Sequence, residues 1–369
     1  LYCNSVGIVE KKIFKSEKPL KLVSGIELNP IHIAYETYGT LNEDKSNVIL
    51  LLHALSGNQH AAGFHEGDSK PGWWEEMVGP GKPFDTNRYF IICSNIIGSC
   101  YGSTGPASLN PQTGKSFGLD FPVITVKDMV KAQKMLLDHL GIKQLFSIAG
   151  GSLGGMQALE WAITYPEMVK SAIVIAATSK MSTQNMGFHE IGRFAILSDP
   201  NFHNGNYYSE PHGPDKGLAL ARMVGHITYL SEEAMNSKFG RQLKTGRYMF
   251  DLKHIEFQVQ SYLHYQGSKF VRRFDANSYL YITKAMDYFD VTDILQKIKI
   301  NTRFLVIGFT SDWLFPISQS MEIVDALRSN KNHVSYASID STEGHDSFLL
   351  NFEKQAEVVS SFLKGCGNA

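Results

Sequence analysis

The chain has 369 residues, 43% of them hydrophobic and 19% charged, with 35 basic side chains against 36 acidic ones for a net charge of -1. That is ample for a buried core in one large domain or two, and without a large single-sign field neither nucleic acid nor an anionic membrane is expected as a partner, leaving small molecules and other protein subunits. The cysteines Cys3, Cys93, Cys100 and Cys366 have neither disulfide-scaffold density nor metal-ligand spacing, no apolar run approaches about 18 residues, and Glu10, Lys11, Lys12 and Lys15 stand where an apolar signal core would lie, so a cytoplasmic location is expected.

In chain order, short apolar runs alternate with helical patterns, the grammar of a mainly parallel sheet flanked by helices. Val48 to His53 is the first clear buried strand, Tyr89 to Ser94 the second and Leu145 to Ala149 the third. Val126 to Leu140 carries apolar residues at helical spacing between the last two. Leu153 to Tyr165 reads as a helix closed by Pro166, and Ser171 to Ala177 as a further strand. From Met181 to Lys299 the pattern is mostly helical, with an irregular loop around Pro200 to Pro214. This reads as a helical cap, residues 181–299, inserted into a core of 1–180 and 300–369. The alternation resumes with a strand at Arg303 to Phe309, a helix near Ser318 to Leu327, a strand near Val334 to Ile339 and a last amphipathic helix at Phe348 to Leu363.

Gly150-Gly151-Ser152-Leu153-Gly154 fits G-x-S-x-G and lies between a strand and a helix, where a nucleophile elbow belongs. The position carries more weight than the match, because so short a pattern recurs by chance. A serine hydroxyl is a poor nucleophile at neutral pH and needs a base, and the base needs an orienting acid. Asp312 follows the strand 303–309, and His345 follows the last strand within Glu343-Gly344-His345-Asp346. Both therefore reach the sheet edge where Ser152 sits, in the chain order Ser, Asp, His of the α/β-hydrolase fold. Asp287 and Asp290 compete for the acid role but precede the resumed sheet. Two backbone NH groups must stabilise the oxyanion, and Leu153 and Leu55 are the candidates. Alone, Asp312 could merely cap the next helix. His53, His60 and His65 lack metal-ligand spacing, so no metal is expected.

More specific are Tyr35-Glu36-Thr37-Tyr38-Gly39, His53-Ala54-Leu55-Ser56-Gly57, Gly98 to Pro106, Gly151 to Gln157, and Ala221-Arg222-Met223-Val224-Gly225-His226-Ile227-Thr228-Tyr229. On these segments, over nearly its whole length, the chain resembles the homoserine O-acetyltransferase family. The resemblance implies that Ser152 takes an acetyl group from acetyl-CoA and passes it to the homoserine hydroxyl, with His345 as base and then acid in each step. It also implies that Arg222 and Asp346 bind the amino-acid acceptor. A guanidinium fork suits an α-carboxylate and a carboxylate suits an α-ammonium. Tyr229, ending the same segment, is a further substrate-binding candidate. A cap-to-core salt bridge for Arg222 and a turn hydrogen bond for Asp346 are the structural alternatives. No P-loop is present, so acetyl-CoA is expected as a cosubstrate held without one, with no tightly bound cofactor. The family implies a homodimer through the cap. Succinyl-CoA as donor, serine as acceptor, plain ester hydrolysis and an inert binding protein are the rival readings.

Overall fold

The computed structural model describes residues 4–367; Cys3 lies outside them, and Cys93, Cys100 and Cys366 are free thiols. One sheet organises the chain. Its strands are β1 (Lys12–Ser16), β2 (Ile31–Tyr38), β3 (Val48–Leu52), β4 (Phe90–Ser94), β5 (Ser147–Gly151), β6 (Ser171–Ile175), β7 (Arg303–Phe309) and β8 (Val334–Ile339), in spatial order β1-β2-β4-β3-β5-β6-β7-β8. β2 runs antiparallel to both its neighbours, and the remaining pairings are parallel. Parallel strands are covered on both faces and therefore read as continuous apolar runs. In β3, Val48, Leu50 and Leu52 enter the core on one face, while Ile49 and Leu51 enter the core on the other.

The first face is covered by α1 (Val126–His139), α2 (Leu153–Thr164) and, beyond the insert, α8 (Ile317–Ser329); α9 (Phe352–Gly367) covers the second. α1 begins with a reciprocal cap: Thr125 Oγ1 accepts from Asp128 N at 3.2 Å, and Asp128 Oδ2 accepts from Thr125 N at 3.0 Å. Five helices, α3 (Thr183–Leu197), α4 (Asp215–Tyr229), α5 (Glu232–Phe239), α6 (Gln258–Val271) and α7 (Ala276–Asp287), and a one-turn helix at Thr292–Leu295 are inserted between β6 and β7. α4 packs against both α3 and α6 and against the 344–346 turn of the core. The insert is tied down by Asn185 Nδ2, which donates to Leu314 O at 3.0 Å, and by Trp313 Nε1, which donates to Leu230 O at 3.0 Å.

Three expectations are corrected. The strand at 48 is not the first, because β1 and β2 precede it as an antiparallel pair at the sheet edge. The third expected strand is shifted: β5 runs two residues later and reaches Gly151, next to Ser152. The final helix is two pieces, Ser347–Leu350 and Phe352–Gly367, since Asn351 leaves the helical region at φ -99°, ψ 77°.

Candidate active site

Ser152 stands between β5 and α2 at φ 58°, ψ -123°. Such a backbone is costly for any residue with a Cβ and persists only where the surroundings impose it. Glycines make the turn fit. A Cβ on Gly154 would lie 2.0 Å from Leu52 O, and one on Gly151 would lie 2.4 Å from the Phe348 ring. Although Ser152 occupies the N-cap position, its side chain bonds no α2 amide, so its hydroxyl is not spent on capping.

His345 Nδ1 and Asp312 Oδ2 are 2.7 Å apart, with both residues buried. The second oxygen of Asp312 accepts from Leu314 N at 3.0 Å and Phe315 N at 2.9 Å, which fixes the carboxylate plane. The aspartate therefore orders the turn before α8 and orients the histidine together. His345 lies in a tight turn led by Gly344 at φ 77°, where a Cβ would lie 2.5 Å from Ser231 N and 2.7 Å from Tyr229 O. Only glycine lets this turn tuck under the end of α4. The Phe348 ring touches the His345 ring at 5.5 Å between centroids and also fills the space beside Gly151, so one side chain links the histidine turn to the serine turn. Ser152 Oγ makes no hydrogen bond to His345, whose Nδ1 side is taken up by Asp312. The competing aspartates are engaged elsewhere: Asp287 pairs with His189 and Arg193, and Asp290 accepts from Thr292 N.

The backbone NH groups of Leu55 and Leu153 have no hydrogen-bond acceptor among the described residues. Leu153 is the first residue of α2, so the positive end of the helix dipole adds to its pull on an anion. Leu55 belongs to the loop leaving β3, which His53 anchors. His53 Nδ1 faces Ala54 O at 2.8 Å, Ile96 N donates to His53 Nε2 at 3.1 Å, and Gln157 Nε2 donates to His53 O at 3.1 Å. Full burial drives the His53 pKa down to about 4, so the ring is neutral, with Nδ1 the donor.

Arg222 reaches from α4 toward this loop. Its guanidinium donates to Ser56 Oγ at 3.4 Å and lies over the rings of Phe270 at 4.7 Å and Tyr229 at 5.3 Å. It forms no salt bridge among the described residues, whereas Arg193 in the same insert pairs with Glu190 and Asp287. Asp346 follows His345. Burial raises its carboxyl pKa, while the charges of His345 and Arg222 pull it back down. Its carboxylate accepts no hydrogen bond among the described residues. Tyr229 lies 6.3 Å from His345 between ring centroids. Arg222 thus links cap to core through Ser56 without a salt bridge, and Asp346 makes no turn hydrogen bond among the described residues. The sequence reading missed Arg273, which donates to Ser56 O at 3.1 Å and to the Tyr101 hydroxyl at 3.0 Å. It also missed that His60 and His65 converge on Glu36. Both contacts join residues far apart in the chain and left no local signal.

The family profile for the alpha/beta hydrolase fold matches residues 47–352. The homoserine O-acetyltransferase of Methanohalobium evestigatum is 57% identical over 97% of this chain and 74% of its own length. A homoserine O-succinyltransferase of Halorhodospira halophila is 53% identical over 98% of this chain and 96% of its own. Among solved structures, the homoserine O-acetyltransferase of Bacillus anthracis superposes with a TM-score of 0.90 at 30% identity, over 96% of this chain and 98% of that one. A crystallised esterase superposes with a TM-score of 0.89 at 31% identity, over 96% of this chain and all of that one. With the serine elbow, the His345–Asp312 pair and identities of this size over nearly the whole chain, the protein belongs to the homoserine O-acetyltransferase family of the α/β-hydrolase fold.

Proposed function

We propose that the chain transfers acetyl from acetyl-CoA to homoserine in two steps through Ser152. The carrying observation is the buried His345–Asp312 hydrogen bond at the sheet edge that holds the strained Ser152. In the first step His345 takes the Ser152 proton while Oγ bonds to the thioester carbonyl carbon. The NH groups of Leu55 and Leu153 stabilise the negative oxygen. The C–S bond then breaks, and the His345 proton goes to the CoA sulfur. In the second step His345 takes the proton of the homoserine hydroxyl, that oxygen bonds to the acetyl carbon, and Ser152 Oγ leaves with the proton.

Arg222, which pairs with no carboxylate among the described residues, receives the α-carboxylate of homoserine, and Asp346 receives the α-ammonium, with Tyr229 lining the same space. Residues 181–299 act as the cap that keeps water from the acyl-enzyme, since hydrolysis there would divert transfer into esterase chemistry. The exposed apolar residues Ile191, Phe194 and Leu197 on α3 and Leu220 and Ile227 on α4 support a homodimer through this cap. Light scattering that returned a monomer would remove that part of the reading. No helix among the described residues is long and apolar enough to cross a membrane, and three free thiols suit a reducing cytoplasm.

A second reading, with succinyl-CoA as donor, is favoured by the Halorhodospira halophila relative. Free-thiol release from acetyl-CoA and succinyl-CoA, each with homoserine, serine or water as acceptor, separates the readings. Fast release with acetyl-CoA and homoserine and slow release with water is the expected result. Preference for succinyl-CoA or serine would move the activity to that pair, and equal rates with water would make the protein a hydrolase.

A further inference from the structure

Glu36 lies in β2, fully buried, with three side chains directed at its carboxylate. The Tyr38 hydroxyl and His60 Nδ1 face Oε2 at 3.0 Å and 2.8 Å, and His65 Nε2 faces Oε1 at 2.8 Å. The two imidazoles are stacked, with ring centroids 3.9 Å apart and planes at 29°. One donor atom from each of Glu36, His60 and His65 falls within 4.8 Å of the other two.

The hydrogen-bond account of this cluster stays open in two places. His65 Nδ1 faces Asp68 Oδ2 at 3.3 Å, so both of its ring nitrogens point at carboxylates. An imidazole set between two carboxylates needs either a proton on each ring nitrogen or a cation bound at one of them. His60 Nε2 is buried without a partner among the described residues. A carboxylate on the far nitrogen of a histidine is also how metal-bound histidines are commonly held, as Asp68 holds His65.

We propose that Glu36, His60 and His65 form a site for one divalent transition-metal ion of the zinc or cobalt(II) kind. Two imidazoles with one carboxylate favour such ions over magnesium or calcium, which take oxygen ligands. The His65 side chain is 35% exposed, which leaves an entry path and room for water as a further ligand. The ion would fasten to β2 the outer end of the loop whose inner end carries Leu55, a loop that the Tyr38 hydroxyl already grips by accepting from Ala61 N at 2.8 Å. Binding at this site is separate from the transfer reaction and is tested without it.

Tag-free protein is stripped with chelator, dialysed and titrated with cobalt(II), read by its visible ligand-field absorption, and with zinc in competition with a chromophoric chelator. One equivalent of either ion per chain is expected, with zinc displacing cobalt. His65→Ala and His60→Ala should each weaken binding roughly 100-fold or more, and Asp68→Asn about tenfold. His65→Ala, at a partly exposed loop position, remains informative if Glu36→Gln does not fold. Absence of stoichiometric binding, or binding that persists unchanged in a folded His60→Ala/His65→Ala double variant, would overturn the proposal and leave the cluster a purely hydrogen-bonded one.

Discussion

The contacts around Ser152, His345 and Asp312 leave the serine hydroxyl and one imidazole nitrogen without a hydrogen-bond partner among the described residues, while the aspartate commits both its oxygens. Ser152 sits at the start of a helix without capping it, Asp312 divides its two oxygens between backbone amides and His345, and His345 keeps Nε2 uncommitted. Arg222 is held by cation–π contacts in place of an ion pair, which on the proposed reading keeps its guanidinium for the acceptor carboxylate. Arg222→Ala should therefore reduce kcat/KM for homoserine by roughly 10²-fold, the loss expected for charge-assisted hydrogen bonds worth about 3 kcal/mol. Release of the first equivalent of CoA should stay near the wild-type rate. Stopped-flow thiol detection checks both numbers, and equal loss in the two half-reactions would mean that Arg222 holds the fold and not the acceptor.

At the scale of elements, the decisive contact is the crossing of α2 over β3 and β5, where Gly154 lies against Leu52 O. Gly154→Ala should cost about 1–3 kcal/mol, the usual range for overpacking, with a drop in activity as the Ser152 turn shifts. Urea unfolding at neutral pH measures it, and an unchanged midpoint would show that the crossing can relax. Much of this region was legible in advance. Gly150 to Gly154 between a strand and a helix marks the elbow, and Asp312 and His345 each follow a readable strand. β2 was not legible, because Ile31–Tyr38 places a charged Glu36 inside the sheet, and the groups that satisfy it, His60 and His65, lie 24 and 29 residues further on. The break at Asn351 was hidden for a different reason: apolar residues at helical spacing run on across it, and the spacing alone does not register a change of backbone direction.

For the whole molecule, pH should act first on two buried histidines outside the triad. Burial lowers His53 to about 4 and, with the charge of Arg222, lowers His226 to about 3. Between these values and the ordinary histidine range the unfolded chain binds more protons than the folded one, so stability rises with pH there and falls as the solution is acidified below about 6.5. The slope is on the order of 1.4 kcal/mol per pH unit for each group. A urea midpoint clearly lower at pH 5 than at pH 7 is the expected outcome, and equal midpoints would mean that these rings gain protons without unfolding.

In the proposed mechanism Ser152 carries the acyl group between two substrates. Intact-mass and peptide mass spectrometry after brief mixing with acetyl-CoA alone tests it most directly. One added acetyl group is expected on the peptide containing Ser152, with its loss on addition of homoserine and no adduct in Ser152→Ala. Transfer to homoserine at an undiminished rate by Ser152→Ala, or an adduct on another residue that turns over with homoserine, would contradict it.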